Sequence, residues 1–216
     1  MIKNELRNDG AVLRYIAVVA MFIDHLALCM YGFIPPGLYM AGRIVGRISY
    51  PIFAYCLAAG FRYTRDIRRY AGRIAIAAVI SEIPFDLMVG KRIWYPEAQN
   101  VMWTLLIGLL MLWGVDRVRP RKAASQEQEA ASVYADHLRW LLTGLGKLLV
   151  IAMACGLATL LHTDYEWEGI LVIAAFSLMP AGMFDIPRGS YPRYLFYAFY
   201  PVHMLALVLL RHAMRS

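Results

Sequence analysis

About seven times along its 216 residues the chain runs apolar for roughly the 20 residues that carry a helix across a bilayer. Hydrocarbon offers a backbone no hydrogen-bond partner, so a run of this length reads as a helix that satisfies itself. The runs fall at about 13–33, 38–60, 70–89, 100–116, 141–161, 168–183 and 193–212. The expected fold is all-α: a polytopic integral membrane helical bundle of about seven transmembrane helices, forming one domain over 1–216. Composition agrees, because 60% of the residues are hydrophobic where a soluble domain is closer to half.

The net charge of +7 is distributed between the apolar runs, which argues for the positive-inside rule and against nucleic acid as a partner. The connections Arg62–Arg69 and Arg117–Lys122 are basic, and the next even-numbered turn carries Arg188 and Arg193. Of the alternate turns, "GFIPPGLYM" holds no positive charge and "HTDYEWEG" is acidic, with Lys91 and Arg92 as the exceptions. The rule places the N-terminus in the cytoplasm and the C-terminus outside. The stretch 118–140, rich in Ala, Glu, Gln and Ser, reads as a cytoplasmic linker with some helix in it. Pro180 and Gly182 break the sixth run, which suits a re-entrant or tilted segment. Cys29, Cys56 and Cys155 stand singly in apolar runs and read as packing residues, with no metal site. Lys3 and Arg7 precede the first run as in a signal peptide, but Asp24-His25 interrupts it and no small-residue cleavage site follows, so it is expected to be retained.

The ionisable residues inside these runs are informative, since each costs roughly 2.5–3.5 kcal/mol on insertion scales. Asp24 and His25 lie past the middle of the first run. Arg43 and Arg47 are four apart in the second, and Glu82 and Asp86 repeat that spacing in the third, straddling Pro84. Gln99 and Asn100 open the fourth, Asp164 to Glu168 form a turn, and Tyr200 and His203 are three apart in the last. All belong to the same, outer half of the membrane, as the parts of one site. Arg43 and Arg47 with Glu82 and Asp86 also fit structural ion pairs between adjacent helices, His203 a core histidine, and Asp164–Glu168 a solvated turn. Asp24-His25, with no charged neighbour at helical spacing, fits function better than stabilisation. Arg14 and His25 are eleven residues apart, nearly on one helix face and about 16 Å along it. With Arg14 at the cytoplasmic edge, a coenzyme A thioester spans that distance, phosphates at Arg14 and acyl carbon at His25.

The blocks "MFIDH", "GRISYPIFAYCLAAGF", "ISEIPFDL", "QNVMWTLLIGLL", "DYEWEGIL" and "YLFYAFYPVHMLALVLL" occur in order from about Arg14 to Leu210. As a set they resemble the TraX family, whose founding activity is N-terminal acetylation of conjugative pilin from acetyl-CoA. The Arg-x10-His pattern is similar to that of the broader membrane acyltransferases that acetylate surface glycans. The resemblance implies a bacterial inner-membrane, multi-pass acetyltransferase with acetyl-CoA as co-substrate and His25 as catalytic residue beside Asp24. Arg47, Glu82, Asp86, Asn100 and His203 fall in the other matching blocks, with Arg43 just ahead of the second. In "CLAAGF" the sequence departs from the family, carrying Ala59 where a glutamate is expected before Gly-Phe, which removes any acidic role there.

Transfer of an acetyl group to a pilin-type amine or a glycan hydroxyl at the outer side needs a base and donors for the oxyanion. The sequence offers His25 as base or acyl carrier. Asp24 projects about 100° away around the helix, so Glu82, Asp86 or a direct bond from His203 is expected to orient the His25 ring. Arg43 and Arg47 supply positive potential. The competing class is a proton-coupled small-solute transporter, which also uses intramembrane Asp, Glu and His, but about seven helices without an inverted repeat are few for it.

Overall fold

The computed structural model describes residues 2–119, 129–180 and 195–215. Helices are the only regular elements among them: α1 (Ile2–Cys29), α2 (Pro36–Gly46), α3 (Ser49–Tyr63), α4 (Ile67–Val89), α5 (Val101–Arg117), α6 (Glu129–Leu160), α7 (Glu166–Leu178) and α8 (Leu195–Ala213). They form a helical membrane bundle. Among the described residues, four stretches are long and apolar enough to cross a membrane: Val12–Cys29, Pro36–Tyr63, Asp136–Leu160 and Leu195–Ala213.

The second expected run is one stretch made of two helices. Pro51 has no N–H to give the Arg47 carbonyl, so the ladder breaks there and α3 starts afresh with proline in its first turn, where it is tolerated. α4 is 23 residues long and charged at both ends, by Arg68, Arg69 and Arg73 at one and Glu82 and Asp86 at the other. α7 has only 13 residues and covers about 20 Å, too little to cross; it stops two residues before Pro180. α6 begins at Glu129, so the second half of the expected 118–140 linker is helix, as its alanines and glutamates favour. Gly182, Arg188, Arg193 and positions 120–128 lie outside the described residues.

With α2 and α3 counted as one stretch, the helices alternate in direction, so the bundle has two ends. At one, beside the 64–66 turn, Arg62 of α3 donates to the carbonyls of Ser177 and Met179 at 2.8 and 2.5 Å, tying the close of α7 to the end of α3. At the other lie the turns 30–35, 90–100 and 161–165. We call these the Arg65 end and the Asp164 end. Capping fixes the entries to the central helices: the Asp66 side chain accepts from the Arg69 N–H, and that of Asn100 from the Met102 N–H, both at 3.0 Å.

Without a hydrophobic drive between helices in lipid, close approach depends on small residues. Ala54, Ala58, Ala158 and Ala174 are buried where α3, α5, α6 and α7 meet. Gly42 and Gly46 do the same for α2 against α1. A Cβ on Gly42 would lie 2.6 Å from that of Ala27, and one on Gly46 would overlap the Asp24 side chain. α8 packs against both α4 and α1, with Met21, Phe85, Met88, Tyr200 and Met204 as their shared core.

Candidate functional site

α1 and α8 meet at two histidines. His25 Nδ1 and His203 Nε2 are 2.6 Å apart, and the rings lie parallel with centroids at 4.9 Å. His203 Nδ1 is 2.7 Å from the Phe199 carbonyl oxygen, one turn back on α8. A carbonyl only accepts, so His203 Nδ1 carries the proton and its Nε2 receives one from His25 Nδ1. In the neutral pair His25 Nε2 is therefore left with its lone pair, and it has no hydrogen-bond partner among the described residues. The chain of bonds runs carbonyl, His203, His25, and ends on a base. Phe199 stacks on His203 at 4.6 Å and Tyr200 sits against both imidazoles at 5.9 Å, which holds the rings in place.

Asp24, one residue away, turns toward α2 and forms an ion pair with Arg43 at 2.6 Å. The Gly46 position makes this contact possible, because only a residue without Cβ leaves room for the carboxylate. Arg47 lies over the Tyr165 ring at 5.2 Å, and Tyr165 stacks on Tyr50 at 3.9 Å. Tyr165 occupies the left-handed region with φ 67°, a conformation a tyrosine adopts only when its surroundings enforce it. The clamp is visible: Gln99 N–H donates to the His162 carbonyl and Asp164 N–H to that of Gln99, both at 2.9 Å, and Thr104 Oγ1 donates to the Asp164 carbonyl. Burial pushes the Asp164 carboxyl up to about 6 from its ordinary value, against the opposing pull of Arg47.

Glu82 accepts from Trp103 Nε1 at 2.7 Å and from Asn100 Nδ2, which also donates to the Ala78 carbonyl at 2.9 Å. Asp86 accepts the Tyr95 N–H at 2.9 Å and so ties down the 90–100 loop. One oxygen of each of Asp24, Glu82 and Asp86 is buried without a partner. The structural ion pairs expected between Arg43 and Arg47 and Glu82 and Asp86 are not formed. Each arginine turns instead to α1 or the 161–165 turn, and each carboxylate to its own hairpin. Of the three groups weighed for orienting His25, His203 is the one bonded to it.

A cavity of about 740 Å³ opens at the Arg65 end and runs inward between α1, α3, α4, α5 and α8. Its mouth carries Arg65, Arg69 and Arg73 and its wall Arg14 and Cys56, and deeper in it is lined by Met21, Tyr200 and the first residues of α5, Val101 and Met102. Arg14 is hydrogen-bonded to Cys56 and is thus about two turns in from the close of α3 rather than at the outermost edge. Met21 precedes His25 by one turn of α1. Of the ten residues singled out from sequence, Arg14 and Tyr200 line the cavity, and the other eight are not among its lining residues.

The profile of the TraX protein family matches residues 9–182. The chain belongs to the TraX family. A curated relative, the probable fimbrial assembly protein FimC, serogroup H1, of Dichelobacter nodosus, is 27% identical over a match that covers 90% of this chain and 92% of that one. No solved structure matches.

The family's sequence blocks coincide with the contacts just described. "GRISYP" supplies Arg47 and Tyr50, "DYEW" supplies Asp164 and Tyr165, and "QNVMW" supplies Asn100 and Trp103. Tyr50, Thr104 and Trp103 were not singled out from the sequence, since an aromatic or threonine in an apolar run carries no positional signal. Gly42 and Gly46 did carry one, the small-xxx-small spacing of close helix pairs.

Proposed function

We propose that this TraX-family protein is a membrane-integral acetyltransferase that takes the acetyl group from acetyl-CoA at the Arg65 end and passes it to an acceptor at the Asp164 end. The observation that carries the proposal is the His25–His203 pair: a base with a fixed tautomer, one turn of α1 from Met21, which lines a cavity large enough for a cofactor-sized donor. His25 Nε2 removes a proton from the acceptor amine or hydroxyl. The acceptor attacks the thioester carbonyl, a C–N or C–O bond forms, the C–S bond breaks, and coenzyme A leaves as thiol after taking up the proton. As His25 becomes charged, the two imidazoles share the load through their bond, and the Phe199 carbonyl keeps His203 donating away from it. Tyr200, lining the cavity and beside both rings, is placed to donate to the oxyanion.

The acceptor we propose is the N-terminal amine of a pilin-type subunit. Support comes from the family and from the relative named for fimbrial assembly. The partly unpaired carboxylates Asp24, Glu82 and Asp86 suit a cationic amine better than a neutral hydroxyl. The site then lies in the bacterial inner membrane, with the Arg65 end in the cytoplasm, where acetyl-CoA is made.

The test is purified protein in detergent with radiolabelled acetyl-CoA and a pilin N-terminal peptide. Coenzyme A release and labelled peptide that both vanish in His25→Ala are expected. Full activity in that variant overturns the mechanism, and no reaction by folded protein with amine or glycan acceptors overturns the proposal.

A further inference from the structure

The cavity mouth holds more positive charge than its surroundings answer. Arg14, Arg65, Arg69 and Arg73 line it with Asp66 as the one carboxylate among its lining residues. Asp66 is already engaged: its side chain caps α4 and pairs with Arg69 Nε at 3.0 Å, which leaves the terminal nitrogens of Arg69 for another anion. Arg69 and Arg73 are four apart on one face of α4, and Arg73 lies over the Tyr70 ring at 5.7 Å. Arg65 and Arg73 form no ion pair among the described residues. The charges are also spaced in depth: three at the rim, and Arg14 about 10 Å short of Met21 along α1.

Resting on the donor reading above, we infer that the mouth is a two-step phosphate site that selects a donor nucleotide carrying a 3′-phosphate. Arg65, Arg69 and Arg73 take the ribose phosphomonoester at the rim, and Arg14 takes the pyrophosphate within. The guanidinium fork suits both groups. Tyr63 and Tyr70 line the same rim and provide flat surface for the base. The apolar remainder of the cavity, to Met21 and Tyr200, fits the slender uncharged arm that follows the pyrophosphate. A donor without the 3′-phosphate leaves the rim arginines unanswered.

The same guanidinium chemistry also binds the phosphates of anionic lipid, so the test separates the two sources. Calorimetry on the full chain in nanodiscs of neutral lipid compares adenosine 3′,5′-bisphosphate, 5′-AMP and acetyl-CoA. The bisphosphate is expected to bind at least roughly tenfold more tightly than 5′-AMP, the worth of one charge-assisted contact. The Arg69→Gln/Arg73→Gln double variant is expected to bring that ratio close to one, while Arg117→Gln, outside the cavity, keeps it. Both changes are at exposed positions, and Arg65→Gln gives a second reading if the double variant does not fold. Acetyl-CoA binding with equal affinity for the two nucleotides overturns the rim site and leaves the donor reading standing. Absence of binding by acetyl-CoA and bisphosphate alike overturns both. A ratio that depends on the arginines only in discs containing anionic lipid assigns them to headgroups and overturns the inference.

Discussion

At the residue scale the decisive pair is His25 and His203, bonded to each other across α1 and α8, and the proposed mechanism makes the first the base and the second its positioning group. His25→Ala is expected to lower transfer by about 10²–10⁴-fold, the usual worth of a general base, with the fold retained. His203→Ala removes the acceptor for His25 Nδ1–H and frees the tautomer. Its expected signature is a fall in kcat with little change in KM for acetyl-CoA, read by steady-state kinetics. Asp164 provides a pH test outside the spans. Its folded carboxyl titrates near about 6, above the ordinary value of 3.8, so the folded protein binds the extra proton between those values. Stability from this group is complete below about pH 4 and is lost as pH rises through about 6. Thermal unfolding in detergent should show that decline in the wild type, and Asp164→Asn should flatten it. The sequence made Asp24, His25 and His203 legible because charge in hydrocarbon is conspicuous. It hid which of them touch, because bonds between α1 and α8 join positions 178 apart.

At the element scale, boundaries were legible where chemistry marks them and illegible where it does not. Asn100 marked the opening of α5 to the residue, whereas α4 starts at Ile67, three residues before the expected run, because the Asp66 cap was not read. The division of α2 from α3 was missed because Pro51 sits within one apolar run, whereas Pro180 had already marked the sixth run as broken, and α7 is correspondingly short. The α1–α2 contact makes a prediction of its own. Gly46→Leu forces a side chain into the space of the Asp24 carboxylate, an overpacking worth about 1–3 kcal/mol. The unfolding midpoint should fall and the Asp24–Arg43 pair should open, with activity lost alongside. Asn100→Ala removes an N-cap, worth about 0.5–2 kcal/mol, and also a donor to the Glu82 carboxylate. Its loss of stability should therefore exceed that of Asp66→Ala, an exposed cap on α4 whose second partner is only a solvent-exposed ion pair with Arg69; equal losses would remove Glu82 from the account.

At the scale of the whole molecule, alternation of the helices sets the Arg65 and Asp164 ends on opposite faces of the bilayer. In a background with Cys29, Cys56 and Cys155 replaced, a cysteine at Thr64 should react with an impermeant thiol reagent only from the cytoplasmic side. One at the exposed Trp94 should react only from outside. Labelling of both from one side would contradict the proposed orientation. The bundle architecture followed from the apolar runs alone, whereas the cavity did not, since its walls come from five helices whose neighbours no local pattern declares.

The lining of that cavity bears on how the membrane around it would stay sealed. Met21, Phe53, Leu57 and Leu105 stand in its wall, and such apolar side chains disfavour a continuous file of water. Under the proposed function an acetyl group would be relayed across the dielectric barrier along that lining while ions were refused, and the proton-motive force of a membrane crowded with this protein would be kept.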